Sequence, residues 1–152
     1  LAKLTGRIAG IDFGTKRIGV AVADAEMRIA SPYENYNRRT VGLDADYFKR
    51  LAREERIVRF VVGLPVHLHG GESQKSAEAR LFGAWLHEQT GVEVIFYDER
   101  FTSSDAEQFL MAADLSKKKR KARLDKLAAQ IMLANYLEVM DLEQRAPGGL
   151  DD

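Results

Sequence analysis

The chain contains no cysteine, and that absence removes disulfide scaffolds, thiolate zinc sites and cysteine nucleophiles together. A reducing compartment is expected. An excess of charge is also lacking: 23 Lys and Arg balance 23 Asp and Glu, giving a formal net charge of zero. The molecule as a whole therefore offers no argument for a polyanionic partner, and any basic surface must come from charge segregated along the chain. No apolar run approaches the roughly 20 residues that a membrane-spanning helix needs. The opening LAKLTGRIAG has no signal-peptide core, so a cytoplasmic protein with no membrane partner is expected. Internal repeats and low-complexity linkers are missing too. What is present, 152 residues of which 45% are hydrophobic, suits a single domain with one sizeable core. That domain is expected over 1–143, with a polar, Pro/Gly-rich tail over 144–152.

Arg7 to Asp24 reads as two strands joined by a Gly-containing turn, RIAGIDF being a short apolar run and RIGVAVAD a strict alternation. The alternation predicts Ile18, Val20 and Val22 on one sheet face. Gly19, Ala21 and Ala23 fall on the other, where small side chains admit a closely packed helix. A weaker third strand is expected from Met27 to Ala30, resuming after Pro32, at a sheet edge because proline cannot donate a ladder hydrogen bond. Helical spacing of Leu43, Tyr47, Phe48, Leu51 and Ala52 predicts a surface helix between Gly42 and Glu55. IVRFVVGLP reads as a strand buried on both faces. A helix follows over Ser76–Gln89 with Ala77, Leu81, Ala84 and Trp85 as its apolar stripe and Gly91 as a left-handed cap. VEVIFYDER is a further buried strand. Thr102, Ser103 or Ser104 would cap the next helix, with Ala106, Phe109, Leu110 and Ala113 on its buried side. Leu124, Leu127, Ala128, Ile131, Ala134 and Leu137 mark a final long amphipathic helix. Short turns between the first three strands argue for an antiparallel meander, and the later strand-helix-strand alternation for parallel pairs. A five-stranded mixed α/β sheet with helices on both faces satisfies both.

Three places carry candidate chemistry. Asp12 interrupts an apolar strand in GIDFGT, and a desolvated carboxylate there requires a hydrogen-bond network, a cation or solvent access. Simple acceptance of backbone hydrogen bonds from the Gly14–Lys16 turn is the plainer alternative. Gly14, Thr15, Lys16 and Arg17 follow it with backbone amides and two cations where a phosphate could lie. Next, Asp98-Glu99-Arg100 stands at the carboxyl end of a strand, where α/β sheets tend to place ligands. Alternation turns Asp98 and Glu99 opposite ways, so only one of them serves a shared site. Taken in isolation, the triplet is better explained by an internal Arg100 salt bridge. Third, SKKKRKARLDK over 116–126 packs Lys117, Lys118, Lys119, Arg120, Lys121, Arg123 and Lys126 around one acid, Asp125. Such a run repels itself, is expected to be mobile when free, and suits a phosphate backbone better than a packed protein face. Asp125 also suits an ordinary helix N-cap. His67 and His69 have alternating metal-like spacing but no matching third ligand, and read as a surface loop. Trp85, Met111, Met132 and Met140 read as packing.

Taken together, GIDFGTKRIGVAVAD, VVGLPVHLHGG, VIFYDERFTSSDAE and DKLAAQIMLANYLE closely resemble the YqgF (RuvX) family over nearly the whole chain. The order and spacing of the four segments carry the resemblance more than any one of them. It implies a ribonuclease H-like fold and a metal-dependent nuclease acting on nucleic acid, either branched DNA such as Holliday junctions or ribosomal RNA precursor. By the same resemblance the catalytic acids and metal ligands are Asp12, Glu99 and Asp125, holding two Mg²⁺ or Mn²⁺ ions about 3.5 to 4 Å apart. Asp98, Arg100 and Thr102 would support them. Thr15, Lys16, Arg17, Lys117–Lys119, Arg120, Lys121 and Arg123 would bind the phosphate backbone, and the products would carry 5′-phosphate and 3′-hydroxyl ends. DERFTS departs from the more usual DERLTT at Phe101 and Ser103 without removing an acid. A junction resolvase cuts two symmetric strands and so implies a homodimer. A ribosome precursor is the partner in the RNA case, where an RNA-binding assembly factor with little catalysis is the alternative. DFGT and its hairpin also resemble the phosphate-binding strand pair of actin-like ATPases and sugar kinases, but those folds need a second such lobe.

Overall fold

The computed structural model describes residues 6–65, 74–98 and 117–145, the last of these with side chains over 127–142. The strands are β1 (Arg7–Asp12), β2 (Arg17–Ala23), β3 (Ala30–Asn37), β4 (Ile57–Leu64) and β5 (Glu93–Asp98). The helices are α1 (Val41–Glu54), α2 (Gln74–Thr90) and α3 (Lys117–Arg145). The sheet order is β3-β2-β1-β4-β5. β1 and β2, and β2 and β3, pair antiparallel, whereas β1 and β4, and β4 and β5, pair parallel. The mixed sheet expected from the sequence is therefore present.

Alternation divides the core into two layers. Ala9 and Ile11 of β1, Ile18, Val20 and Val22 of β2 and Phe60 and Val62 of β4 pack with Tyr47, Phe48 and Leu51 of α1 and Phe82 and Leu86 of α2. On the opposite face Ile8, Ala21, Ala23 and Val61 pack against Ala129, Met132, Leu133 and Leu137 of α3. Small residues set how close α3 can approach. A Cβ added to Gly10 would lie 2.8 Å from the Leu133 Cβ and 3.3 Å from the Ala129 carbonyl oxygen. Gly10→Ala should accordingly push α3 off the sheet and destabilise the fold by about 1–3 kcal/mol. Urea unfolding measures this, and an unchanged midpoint would show that the helix is not held so closely.

Several boundaries and faces differ from expectation. β3 does not begin at Met27, which sits in a turn at φ 59°. Asp24 Oδ1 closes that turn by accepting the Arg28 and Ile29 amides. The strand instead runs from Ala30 through Pro32 at the sheet edge, and a register shift between Val20 and Ala21 accommodates the proline. Leu43 is exposed on α1, while Asp44 beside it is buried. On α2 the buried stripe is Ser76, Ala79, Phe82, Gly83 and Leu86 rather than Ala77, Leu81, Ala84 and Trp85. Leu81 is 73% exposed and Trp85 only half-buried. Gly83 decides the rotation, because a Cβ there would meet the Phe96 ring of β5. β5 is half-exposed rather than buried, with β4 its one neighbour among the described strands. Gly91 caps α2 at φ 71°, as expected.

The basic stretch, expected to be mobile when free, has helical backbone in α3 from Lys117 onward. Lysine, arginine, alanine and leucine favour helix strongly enough to outweigh the unfavourable placing of cations at an N-terminus. Asp125 therefore lies well inside the helix, which excludes the N-cap role. Ala134 is exposed, while Leu127 and Ile131 are half-buried. The expected helix after Thr102 lies outside the described residues, as do His67 and His69. Among the described residues no helix is long and apolar enough to cross a membrane.

Candidate active site

Asp12 closes β1 and is half-buried. Since Ala9 and Ile11 face α1 and α2, whereas Ile8 and Gly10 face α3, alternation directs Asp12 to the α3 side. Beyond it Phe13, Gly14, Thr15 and Lys16 turn the chain into β2 at Arg17. With Lys75 from the first turn of α2, these residues line an open cleft of about 200 Å³. The lining combines three cations, Lys16, Arg17 and Lys75, with one acid. Such a surface attracts an anionic backbone to a carboxylate that it would otherwise avoid.

Lys75 carried no signal in the sequence. It reaches the cleft because Ser76 Oγ donates to the Pro65 carbonyl just past β4, anchoring the start of α2 beside the strand ends. Arg38 was missed as well. The Arg38 amide donates to the Lys16 carbonyl at 2.9 Å, joining the end of β3 to the cleft turn. Its guanidinium carbon lies 5.4 Å from the Phe13 ring centroid and 5.9 Å from that of Phe82. Arg38 Nε also donates to Asp44 Oδ2 at 3.2 Å. Asp44 Oδ1 accepts from Tyr36 Oη at 2.6 Å and from the Arg39 amide at 2.9 Å. Burial alone would raise the Asp44 carboxyl, but these hydrogen bonds and the Arg38 charge outweigh it and hold the group below the ordinary carboxylate value. The Tyr36 phenol is pushed up to about 12 by burial and by its bond to Asp44.

Asp98 closes β5 opposite Leu64 of β4, two strands or roughly 10 Å from β1. Val94 and Phe96 pack in the α1 and α2 layer, whereas Ile95 and Tyr97 pack in the α3 layer. Asp98 follows the first pair, so it does not share the face of Asp12. Glu99, Arg100 and Thr102 lie outside the described residues. Lys117, Lys118, Lys119, Arg120, Lys121, Arg123 and Asp125 have helical backbone in α3, with side chains outside the described set. Among the described residues no three His, Cys, Asp or Glu side chains come together, and Asp12 is the one proposed ligand whose side chain is described. Its hard oxygen donors suit Mg²⁺ or Mn²⁺.

The direction of α3 relates its N-terminal half to Asp12. Arg59, one of the first residues of β4 and opposite Ile8 of β1, reaches Tyr136 Oη at 2.9 Å and Met140 Sδ at 3.9 Å. Gly10 meets Ala129 and Leu133. Helix and strand therefore run in opposite senses.

Residues 6–139 match the family model described as RuvX, Holliday junction resolvase. A protein of Rhodopirellula baltica named "Putative pre-16S rRNA nuclease" is 48% identical over 134 residues, covering 88% of this chain and 78% of that one. A protein of the same name from Rhodobacter capsulatus is 40% identical over 144 residues, covering 94% and 90%. Thermus thermophilus RuvC in complex with Holliday junction substrate superimposes with a TM-score of 0.56 at 20% identity, covering 89% of this chain and 96% of that one. The fowlpox virus Holliday junction resolvase gives 0.52 at 12% identity, covering 88% and 99%. These likenesses, with the strand order, establish a ribonuclease H-like fold.

Proposed function

Because this chain belongs to the RuvX family, described as Holliday junction resolvase, we propose that it is a metal-dependent nuclease hydrolysing phosphodiester bonds in ribosomal RNA precursor or branched DNA. The observation that carries the reading is Asp12 itself, a carboxylate at the end of a central strand in a cleft otherwise lined by Lys16, Arg17 and Lys75. Asp12, Glu99 and Asp125 would hold Mg²⁺ or Mn²⁺. Ala129 is level with Gly10, and helix position 125 lies four residues, about 6 Å, nearer the N-terminus of α3. Asp12 lies two residues, about 6.6 Å, along β1 in the matching direction. The antiparallel run thus supports bringing positions 12 and 125 to one level. Asp98 falls on the sheet face opposite to that of Asp12, so Glu99 is taken as the third acid.

Bound divalent cations supply activation of the attacking water and neutralisation of charge developing on the phosphate. The chain's own residues do the positioning. Thr15, Lys16, Arg17 and Lys75 border the cleft and hold the backbone beside Asp12. Lys117, Lys118, Lys119, Arg120, Lys121 and Arg123 of α3 would add further phosphate contacts. Contacts of this kind give affinity and register rather than base reading, so binding should fall steeply with salt. A junction substrate would require two copies, acting as a homodimer.

A cleavage panel of single-stranded RNA, single-stranded DNA, duplex and four-way junction, each with Mg²⁺ and with Mn²⁺, tests this. Metal-dependent cleavage of at least one substrate is expected, with binding that weakens as salt rises. RNA binding without cleavage would replace the nuclease by an RNA-binding assembly factor. Neither binding nor cleavage would overturn both.

A further inference from the structure

Resting on the nuclease reading, we infer that Arg38 is a pre-positioned phosphate contact, set at the edge of the cleft so that a nucleic-acid backbone passing Lys16 and Arg17 meets an already oriented guanidinium. Its location follows from strand pairing. Arg17 lies opposite Asn37, and the Arg38 amide bonds the Lys16 carbonyl, so Lys16, Arg17, Arg38 and Arg39 gather where β2 begins and β3 ends. Lys16 and Arg39 are exposed, and Arg17 and Arg38 are half-exposed. The acid within this group, Asp44, is 1% exposed and so withdrawn from the surface.

Within this group Arg38 is held from two sides. Asp44 takes its Nε–H, and the Phe13 and Phe82 rings lie beside the guanidinium. A charged group fixed in this way has already lost rotamer freedom in folding and loses less on binding. An internal ion pair alone would explain less of the geometry. Asp44 Oδ1 already accepts from Tyr36 and the Arg39 amide, and Arg38 offers Oδ2 a single Nε–H rather than the bidentate fork of a dedicated carboxylate pair. Its Nη groups remain outside that bond, on a side chain still 26% exposed. Phe13 directly follows Asp12 and lines the same cleft, so the hold on Arg38 also ties it to the carboxylate's strand end.

Arginine footprinting with phenylglyoxal on the unaltered chain tests the inference, using a labelled four-way DNA junction and a labelled single-stranded RNA as probes. Whichever probe binds at low salt should lower Arg38 modification several-fold, with recovery at high salt. Arg28, highly exposed in the turn at the other end of β2, should be unaffected. In parallel, Arg38→Gln should reduce the slope of log affinity against log salt by about one. Arg38→Lys should restore that slope while recovering only part of the affinity, since an ammonium lacks the Nε–H that Asp44 accepts and the planar fork of a guanidinium. Probe binding with equal Arg38 reactivity in its presence and absence would overturn the inference and leave the nuclease reading standing. So would a normal salt slope in Arg38→Gln with a native circular dichroism spectrum. If the glutamine variant does not fold, the footprint on the unaltered chain decides. Failure to bind either probe would remove the nucleic-acid reading and this inference together.

Discussion

Asp12→Asn is expected to reduce metal-dependent cleavage by on the order of 1000-fold or more, equivalent to about 4 kcal/mol of transition-state stabilisation. The substitution keeps shape and removes charge. A cation that loses one anionic ligand is held less tightly and in a different position, and both losses fall on the reacting phosphate. The fold should be spared, because Asp12 is the last residue of its strand and only half-buried. A stability change within roughly 1 kcal/mol is expected. Asp98→Asn is the internal comparison. Asp98 follows Val94 and Phe96 onto the opposite sheet face, so its removal should leave most of the cleavage. Rates measured under saturating Mg²⁺ and Mn²⁺ decide the matter, with unfolding curves for both proteins alongside. Full activity in purified Asp12→Asn would rule out a ligand role for this carboxylate.

Why Asp12 was legible and Arg38 was not is a matter of where the information lies. An acid within an apolar strand conflicts locally with burial, and the conflict can be read from neighbouring residues alone. The small-residue face of β2 was legible on similar grounds: Ala21 and Ala23 alternate with Val20 and Val22, and α3 indeed packs on the alanine side. Arg38 follows a weak edge strand and resembles any surface arginine. Its place depends on the pairing of β3 with β2, which brings residue 38 to the Lys16 turn. Lys75 likewise depends on the Ser76 contact to Pro65. The error on α2 has a related cause. Apolar residues occur all around that helix, so periodicity alone cannot orient it, and the residue that settles the matter is a glycine packed against Phe96. On α3, strong helix propensity carried the helix through the basic run, where charge repulsion had suggested mobility.

Asp44 should be among the most costly positions to alter for stability, although it lies outside the proposed chemistry. Asp44→Ala would leave the Tyr36 hydroxyl, the Arg39 amide and Arg38 Nε without their shared acceptor in a site that is 1% exposed. Removing one partner of a buried charged network costs about 3–5 kcal/mol, a large part of the 5–15 kcal/mol that usually holds a domain together. A fall in melting temperature of roughly 10 °C is expected. Asp44→Asn keeps an acceptor oxygen for Tyr36 or the amide and should lose less. The folded carboxyl is held below its ordinary value of 3.8, so its contribution is fully present above that pH and disappears as pH falls through the folded value. Asp24 acts in the same window, since the Arg28 and Ile29 amides lower it too, but it lies in an exposed turn and should contribute less. Denaturant midpoints followed downward from pH 6 should therefore fall steeply as pH drops below about 4 in the wild type. The fall should be shallower in Asp44→Asn and nearly unaltered in Asp24→Asn. Parallel acid limbs in wild type and Asp44→Asn would show that this carboxylate is not what acid removes. Because Asp44 also holds Arg38, loss of nucleic-acid affinity should accompany loss of stability in Asp44→Asn, whereas Asp12→Asn should separate cleavage from both.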